Sequence, residues 1–477
     1  MKRGPSTAHR VLHVRTILFA SVTAAVLGIG CSHSATMFAV PLGPGSPELA
    51  HRDIQSPAHL KTWINADHAN PAPDWSSVRP YLDFALVGQS IRDVQLAQAI
   101  AASGIGVVPY TNPNHQAQDG KPHFPDNQPQ DFAHDCQGAR IYRIGYGYPT
   151  PPPGPPPTPT DYTTYLMDPH STHLAQSWAD EVTGFVTQTA VTPAYVFEDT
   201  ADSIRNMNAA PCRYSPDAWT AASIGLDQNM IADAAAAGEA VSILYNGLGT
   251  SIHPNPSRTP QAIGLNLVAS GGMAENCYSR QPASTPNNPD PPPEPAHGSQ
   301  WLATENIELD MAAAQKMFVC NANSGGHTTA EAQTVLRMYV IASVLLTYDP
   351  STTTLDEEFK PASGFEVFPE SSIVALQPLA PAPLDISGLD MGGVYARQYA
   401  TCYVRGKLIG PCAAVVNPSV SATYPFPFSG TYTGTLKIVG GGVLDAGAKI
   451  KFVGGVPGTI APRSAAIAFA PAPSPTP

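Results

Sequence analysis

Two acidic segments at the ends of apolar runs could supply a pair of catalytic carboxyl groups. Glu198-Asp199 follows Tyr195-Val196-Phe197, and Glu275 follows Gly271-Gly272-Met273. Each run is typical of a buried strand, and a helical pattern follows each one. Barrels built from alternating strands and helices carry their catalytic groups at the carboxyl ends of the strands. A carboxylate pair in that place is the equipment of a glycoside hydrolase.

The alternation of side chains along a strand distinguishes the two acids of the first segment. Tyr195, Phe197 and Asp199 share one side of the strand, and Glu198 lies on the other. We therefore expect Asp199 to be the catalytic residue, with Glu198 as the alternate. Glu275 follows two glycines, which let neighbouring backbone approach closely. For either acid taken singly, a helix N-cap or a solvated loop is the favoured interpretation.

The elements that must position these acids form a repeated strand–helix pattern over residues 75–388. This alternation predicts an α/β fold, a (β/α)₈ TIM barrel in which Asp199 ends the fourth strand and Glu275 the sixth. Two strand spacings separate their backbones by about 9 Å, so inward-pointing carboxyl groups would come closer. The predicted strands are Tyr81–Val87, Gly106–Tyr110, Tyr165–Pro169, Ala194–Phe197, Val241–Gly247, Leu265–Val268 with Gly271–Glu275, Met317–Asn321 and Thr347–Asp349.

The pattern changes near residue 389, where short strands separated by glycine turns replace it. Residues 389–470 are predicted to form a small antiparallel β-sandwich domain, and residues 471–477 a disordered tail. Residues 32–74, rich in Pro, His and Ser, are interpreted as a tether and entry segment. Two proline-rich stretches, Pro149–Thr160 and Pro282–Pro295, are predicted to be surface insertions beside the mouth of the barrel.

Composition favours an exported protein. The chain has 477 residues, of which 13% are charged and 51 are proline, and its net charge of −12 argues against a nucleic-acid partner. Basic residues precede an apolar run, Ile17–Gly30, that is too short to span a bilayer, so residues 1–31 are interpreted as an export signal. Cys31 favours a lipoprotein over a plain signal peptide, so membrane contact is expected only through a lipid anchor there. The protein is thus a cell envelope lipoprotein or is secreted.

The six remaining cysteines permit three disulfides in an exported chain. Cys402 and Cys412 flank a turn at Arg405-Gly406-Lys407, which favours a cross-strand bridge between them; the other four can pair in more than one way. No Cys or His group has the spacing of a zinc site, so we expect no metal. A phosphate-binding loop and a GxSxG motif are also absent from the sequence, and we expect no cofactor.

Further polar and aromatic residues stand at or near predicted strand exits, where they could contact a carbohydrate. Aromatic rings stack on sugars, and amide, imidazole and carboxylate groups bond hydroxyls. Glu308 is instead placed on the solvated face of a helix. The candidates for substrate binding are Tyr110, His115, Asp168, Tyr245, Asn246 and Asp349.

Several short motifs resemble those of bacterial hypothetical glycosyl-hydrolase-like barrel proteins. They are Met167-Asp168-Pro169, Phe197-Glu198-Asp199, Leu244-Tyr245-Asn246-Gly247 and Met273-Ala274-Glu275 in the barrel, and Gly393–Arg397, Val416–Ser419 and Pro462–Ile467 in the β-domain. The resemblance spans residues 80–470 and implies a barrel, a β-sandwich and a carbohydrate substrate. The layout is also similar to alpha-galactosidase-type barrels, which implies Asp199 as nucleophile and Glu275 as acid/base.

The sequence therefore predicts an exported glycoside hydrolase-like enzyme that cleaves a poly- or oligosaccharide with a carboxylate pair. A non-catalytic glycan-binding surface protein with a degenerate barrel is the alternative, because a shared fold does not establish activity. The two differ in whether both carboxylates face one pocket.

Overall fold

The structure is a computed structural model. It describes residues 59–66, 72–88, 94–117, 126–142, 164–201, 207–248, 260–280, 282, 293–322, 330–356, 368–440 and 449–470. The predicted signal with Cys31, most of the 32–74 segment, most of both proline-rich insertions and the 471–477 tail lie outside the described residues. Within the described ranges, no helix combines the length and apolar character needed to cross a membrane.

Eight parallel strands close into a barrel, which confirms the predicted fold class. Each strand pairs with the next one along the chain, and the eighth pairs with the first. The strands are β1 Lys61–Asn65, β2 Phe84–Val87, β3 Gly106–Thr111, β4 Val196–Glu198, β5 Ile243–Asn246, β6 Gly271–Glu275, β7 Met317–Asn321 and β8 Thr353–Asp356.

The helices of the described chain surround this barrel. Ser215 caps one of them by accepting a hydrogen bond from the Ala218 N–H, and Pro216 stands in the first turn. The helices are α1 Trp75–Val78, α2 Val94–Ala102, α3 Thr172–Thr189, α4 Pro216–Ala236, α5 Pro260–Val268, α6 Gly298–Ala313 and α7 Ala330–Thr347.

The predicted strand count of eight is right, although three strands were assigned wrongly and the sixth was predicted too long. The first strand, Lys61–Asn65, lies in the segment interpreted as a tether. The predicted third strand is not in the barrel: Thr164–Leu166 pairs antiparallel with His115–Ala117 in the excursion between β3 and α3. The last strand is Thr353–Asp356 rather than Thr347–Asp349, and residues 265–268 belong to α5.

The barrel interior is filled by one layered apolar cluster. Its buried members are contributed by seven of the eight strands, so the barrel is a packed core beneath its mouth. The cluster comprises Trp63, Leu86, Val108, Phe197, Leu244, Met273, Met317 and Val319. Side chains that alternate with these face the surrounding helices and join a second, larger core that includes Val196, Ile243 and Tyr245.

The C-terminal β-domain is a six-stranded antiparallel sheet that begins earlier than predicted. Its strands are β9 Ile373–Pro378, β10 Tyr395–Val404, β11 Lys407–Asn417, β12 Gly434–Val439, β13 Lys449–Gly454 and β14 Ser464–Phe469, in the order β9-β10-β11-β14-β12-β13. One face packs on α7, where the Arg397 guanidinium donates to the Leu346 carbonyl at 3.0 Å. In place of the second sheet of a sandwich, the described residues hold only a short ribbon, Tyr424–Pro425 with Thr459–Ile460.

Three disulfides join Cys136 to Cys212, Cys277 to Cys320 and Cys402 to Cys412. The third confirms the predicted cross-strand bridge. Three disulfides in one chain are typical of an oxidising environment outside the cytoplasm.

Candidate active site

Polar side chains form a layer directly above the apolar interior, at the carboxyl ends of the strands. Each lies two residues beyond an interior apolar residue, because alternate residues of a strand face the same side. Thus Phe197 precedes Asp199 and Met273 precedes Glu275 on the inner face of the barrel. The whole layer comprises Tyr110, Asp199, Asn246, Glu275 and Asn321.

A single amide group joins the two predicted catalytic acids. The Asn246 Nδ2 atom donates to Asp199 Oδ1 at 2.8 Å and to Glu275 Oε1 at 2.8 Å. Since both oxygens lie 2.8 Å from one nitrogen, they are at most twice that distance, 5.6 Å, apart. The structure therefore brings Asp199 and Glu275 together, and it places Asn246 between them on the intervening strand β5.

Two further side chains donate to the other carboxylate oxygen of Asp199. The Tyr110 hydroxyl lies 2.5 Å from Asp199 Oδ2, and the Asn112 amide lies 3.4 Å from it. The backbone of Asp199 is also fixed, because its N–H donates to the Thr111 carbonyl at 2.9 Å. All three side-chain donors suit an ionised carboxylate, which can only accept.

The position of Glu275 is fixed by close packing of the β6 backbone and by a disulfide two residues further along the chain. Gly271 confirms the predicted close approach, since a Cβ there would lie 2.3 Å from the Met317 carbonyl oxygen on β7. Two residues beyond Glu275, Cys277 is bonded to Cys320 of β7, and its N–H donates to the Asn321 carbonyl at 2.8 Å. The loop that follows Glu275 is thus tied to the neighbouring strand, while the Glu275 side chain itself is exposed.

Both acids are followed by a residue in the left-handed region of backbone conformation. Thr200 has φ 59° and Asn276 has φ 55°. Asparagine adopts this region readily, whereas a β-branched residue there is a true outlier. Such strain costs on the order of 1–3 kcal/mol and concentrates at functional sites. The chain turns sharply after each carboxylate, so both side chains remain at the mouth.

Two polar residues extend the layer on its far side. Asn321 ends β7 and donates to Asp356 Oδ2 at 2.7 Å, and Asp356 ends β8. Sequence reasoning did not choose either residue. Asn321 could have been found by the criterion that found Asn246, a polar residue closing an apolar strand. Asp356 could not, because the eighth strand was placed upstream of it.

Two residues chosen from the sequence lie behind the strands rather than in the mouth. Glu198 is buried on the outer side of β4, where Asn114 donates to its Oε1 atom at 2.7 Å. Tyr245 is buried on the outer side of β5 and donates to Asn266 Oδ1 at 2.7 Å. Glu198 as the alternate catalytic acid and Tyr245 as a sugar contact are therefore both corrected: strand alternation turns them away from Asp199.

The remaining three candidates for substrate binding make hydrogen bonds within the protein. His115 is buried, and its N–H donates to Asn112 Oδ1 at 2.9 Å, so it helps to orient Asn112. Asp168 closes a turn by accepting from the His170 N–H at 3.0 Å. Asp349 precedes β8, at the opposite end of the barrel from the mouth, and accepts from the Ser351 N–H at 2.7 Å. Asp349 as a substrate contact is thereby corrected.

The electrostatics differ sharply between the mouth and the layer behind it. Burial raises the pKa of Glu198 to about 7; the hydrogen bond from Asn114 opposes this rise, and the charge of Asp199 adds to it. Burial, together with the charge of Glu198, raises the pKa of Asp227 on α4 well above its usual range. Both carboxyl groups are thus held towards their neutral forms behind β4.

A second layer of buried polar side chains lies behind the loop that follows Glu275. Glu308 of α6 is buried, so its predicted solvated face was wrong. It accepts from the Tyr278 hydroxyl and the Thr353 hydroxyl, each at 2.8 Å. Burial raises the pKa of Glu308 to about 7, although both hydrogen bonds oppose the rise. Within the described ranges, no group of three or more His, Cys, Asp or Glu side chains is arranged to hold a metal ion.

The fold and site together define a (β/α)₈ barrel with two adjacent carboxylates at its mouth. No family model and no curated protein matches the chain. Among solved structures, it is similar to Aspergillus fumigatus Ega3 in complex with galactosamine, at 13% identity over 64% of this chain and 93% of that one, with a TM-score of 0.36. It is also similar to a Geobacillus stearothermophilus GH27 β-L-arabinopyranosidase in complex with arabinose, at 9% identity over 87% and 98%, with a TM-score of 0.42. At such low similarity these matches do not bear on activity.

Proposed function

We propose that this protein is a retaining glycoside hydrolase, with Asp199 as nucleophile and Glu275 as acid/base. The supporting observation is the Asn246 amide that both carboxylates share, which limits the distance between the bonded oxygens to 5.6 Å. Retaining enzymes separate their carboxyl groups by roughly 5–5.5 Å, and inverting enzymes by roughly 6.5–9.5 Å to admit a water. The spacing in this site supports direct attack by one carboxylate.

The proposed reaction proceeds in two displacements. In the first, Asp199 Oδ attacks the anomeric carbon as the glycosidic C–O bond breaks, and Glu275 gives its proton to the leaving oxygen. In the second, water attacks the same carbon, Glu275 takes the water proton, and the bond to Asp199 breaks. Tyr110 and Asn246 hold the nucleophile through its two oxygens in both steps. No redox partner is required.

The test uses a panel of 4-nitrophenyl glycosides and soluble polysaccharides. Asp199→Asn and Glu275→Gln are expected to lower turnover of any accepted substrate by about 10³-fold or more, because each removes a reacting group while keeping its shape. Asp180→Asn is the matched control, since Asp180 is exposed on α3 and its carboxylate accepts from Gln176, one helical turn away. Full activity in either site variant would refute the assignment.

The retaining mechanism has a separate test. A 2,4-dinitrophenyl 2-deoxy-2-fluoroglycoside of the accepted sugar should label the wild-type protein covalently, because the fluorine slows the second displacement more than the activated first one. Mass spectrometry of peptides should then place the sugar on Asp199. Active protein that never becomes labelled, together with release of product of inverted configuration, would rule out retention.

One observation favours the alternative of a glycan-binding protein without turnover. The Glu275 side chain is exposed, whereas a proton donor gains from burial. That alternative predicts glycan binding with no hydrolysis, and binding that survives Glu275→Gln. Affinity electrophoresis in polysaccharide gels, run beside the activity panel, separates the two functions.

The proposal includes export, and attachment to the cell envelope through Cys31. Residues 1–31 have the basic start and short apolar run of an export signal. Wild-type protein is expected in the membrane fraction, and Cys31→Ala in the soluble fraction. Wild-type protein that is already soluble would leave a plainly secreted enzyme.

A further inference from the structure

Glu198 lies immediately before the proposed nucleophile but faces away from the substrate. Its side chain is buried behind β4 and is 2% exposed. The Oε1 atom accepts from Asn114 Nδ2 at 2.7 Å, and the buried Oε2 atom has no hydrogen-bond partner. An ionised carboxylate with an unpaired buried oxygen is costly, so the arrangement suits a neutral carboxyl group.

Asn114 connects this buried acid to the nucleophile. The same Nδ2 atom that bonds Glu198 also lies 3.3 Å from the backbone carbonyl oxygen of Asp199. Asn114 is itself buried, at 5% exposure. On its other side, the peptide of Asp199 is fixed by the bond from its N–H to Thr111, and the chain then turns through the strained Thr200. Glu198 therefore fixes the amide that holds the Asp199 carbonyl.

The titratable groups described around Glu198 are two acids and a tyrosine. Asp199 follows Glu198 in the chain, and Asp227 interacts with it from α4. Burial raises the pKa of Tyr245 of β5, and the charges of Glu198 and Asp227 raise it further. Both oxygens of Asp227 are buried without a hydrogen-bond partner. None of these groups offers a positive charge, so ionisation of Glu198 would have to be relieved by movement or by entry of water.

We propose that Glu198 is a positioning residue for Asp199. While its own carboxyl group is neutral, Glu198 holds the Asn114 amide against the Asp199 carbonyl, and this contact fixes the position of the nucleophile. The inference rests on the proposed glycoside hydrolase function and adds a regulation of the same site by pH. Below neutral pH the neutral acid keeps Asn114 against the Asp199 carbonyl. As the pH rises past about 7, where burial has moved the pKa of Glu198, ionisation strengthens the bond from Asn114 to Glu198 and draws the amide away from the Asp199 carbonyl, so that the nucleophile is held less firmly.

The test measures the first displacement alone, with a 2,4-dinitrophenyl glycoside of the accepted sugar. The rate followed is that of the first-turnover burst of dinitrophenolate, because this leaving group needs no proton from Glu275, whereas every later turnover needs Glu275 to take the water proton. The wild type is expected to lose rate above pH 7. Glu198→Gln keeps an acceptor for Asn114 and never ionises, so its rate should be near that of the wild type at pH 6 and flat to pH 8.5.

Removal of either partner of the Asn114–Glu198 hydrogen bond should change the rate in a different way. Glu198→Ala and Asn114→Ala are each expected to lower the maximal rate about tenfold at every pH, with KM changed less than twofold, because neither residue touches substrate. Asp227→Asn is the matched control: it alters a buried acid of the same cluster that is not bonded to Asn114, and the decline above pH 7 should remain.

The outcomes separate this inference from the proposed function. If Asp199→Asn abolishes turnover but the decline above pH 7 persists unchanged in Glu198→Gln, the positioning role is wrong and the hydrolase assignment stands. A maximal rate unchanged in both alanine variants would also overturn it. If Asp199→Asn remains fully active, the proposed function itself fails.

Discussion

The two sides of the candidate site hold their carboxylates by different means. On the β4 side, Asp199 accepts hydrogen bonds from Tyr110, Asn112 and Asn246, and a second network behind the strand holds its backbone. On the β6 side, Glu275 precedes a loop that a disulfide joins to β7. Hydrogen-bond networks respond to protonation, and disulfides respond to reduction. The nucleophile side should therefore be sensitive to pH, and the acid/base side to redox state.

Asn246 belongs to both sides, so its removal should have the largest effect in this comparison. Asn246→Ala leaves both carboxylates without their shared donor and removes the bridge that sets their spacing. Turnover is expected to fall about 10²-fold, the scale seen when one preorganised donor is lost. Steady-state kinetics on the best substrate of the panel would measure it.

Asn321→Ala provides the control for that prediction. Asn321 occupies the equivalent position on β7 and donates to Asp356 Oδ2. Its effect on turnover should be clearly smaller. Equal losses in the two variants would mean that the bridge between Asp199 and Glu275 has no special role.

The redox sensitivity of the β6 side can be tested by removing its disulfide. Cys277→Ala with Cys320→Ala opens a link across 43 residues, and loss of such a link costs about 3 kcal/mol of stability. Turnover should also fall, because the loop after Glu275 loses its attachment to β7. Urea unfolding and kinetics measure the two effects.

The Cys402–Cys412 bridge is the matched control, since it lies in the β-domain and spans only 10 residues. The variant with Cys402→Ala and Cys412→Ala should lose less stability and keep its turnover. If both pairs of substitutions lower turnover alike, the disulfide acts on global stability rather than on the position of Glu275.

Much of the candidate site was predictable because it depends on strand ends and on alternation. Asp199, Glu275, Asn246 and Tyr110 all close apolar runs, and a period of two fixes the side they face. The same alternation, applied to β5, would have excluded Tyr245. Asn112 could not be predicted, since its contact with Asp199 depends on how the loop after β3 folds back.

The strand count of the fold was predictable, but the positions of three strands were not. Lys61–Asn65 is short and lies among Pro, His and Ser residues, so the composition of this segment indicated a tether rather than a strand. Tyr165–Leu166 has the apolar character of a barrel strand, yet it pairs in a hairpin because its partner His115–Ala117 is local. The predicted count was still eight, because one barrel strand was missed and one strand outside the barrel was included. Glu308 was misjudged because helix periodicity does not show that a carboxyl group is bonded by Tyr278 and Thr353.

The buried acid on the β6 side should make stability depend on pH. The pKa of Glu308 is about 7 in the folded protein and 4.5 in the reference state. Its neutral form therefore favours the fold below pH 4.5, and this stabilisation is lost as the pH rises through 7. The loss amounts to about 3 kcal/mol, because each pKa unit corresponds to 1.36 kcal/mol. The free energy of urea unfolding of the wild type should therefore decline between pH 5 and pH 8. In Glu308→Gln, whose side chain stays neutral, the part of this decline that is due to Glu308 should be absent.

Glu239→Gln serves as the control, because Glu239 is partly exposed in the turn after α4. The free energy of unfolding of Glu239→Gln should depend on pH in the same way as that of the wild type. A decline equally steep in Glu308→Gln would show that Glu308 is already ionised in the folded protein at pH 5.

The smallest expected effect compares the two strained residues that follow the carboxylates. Thr200 and Asn276 both have positive φ, but only Thr200 is β-branched. Thr200→Gly should relieve the greater strain, offset by the extra freedom of glycine in the unfolded chain, for a net gain of up to about 1 kcal/mol. Asn276→Gly should gain less, since asparagine tolerates this conformation. Urea midpoints compare the two, and a larger gain for Asn276→Gly would contradict the assignment of the greater strain to the nucleophile side. Turnover should not rise in Thr200→Gly, because the sharp turn after Asp199 keeps that carboxylate at the mouth and a more flexible residue holds it less firmly.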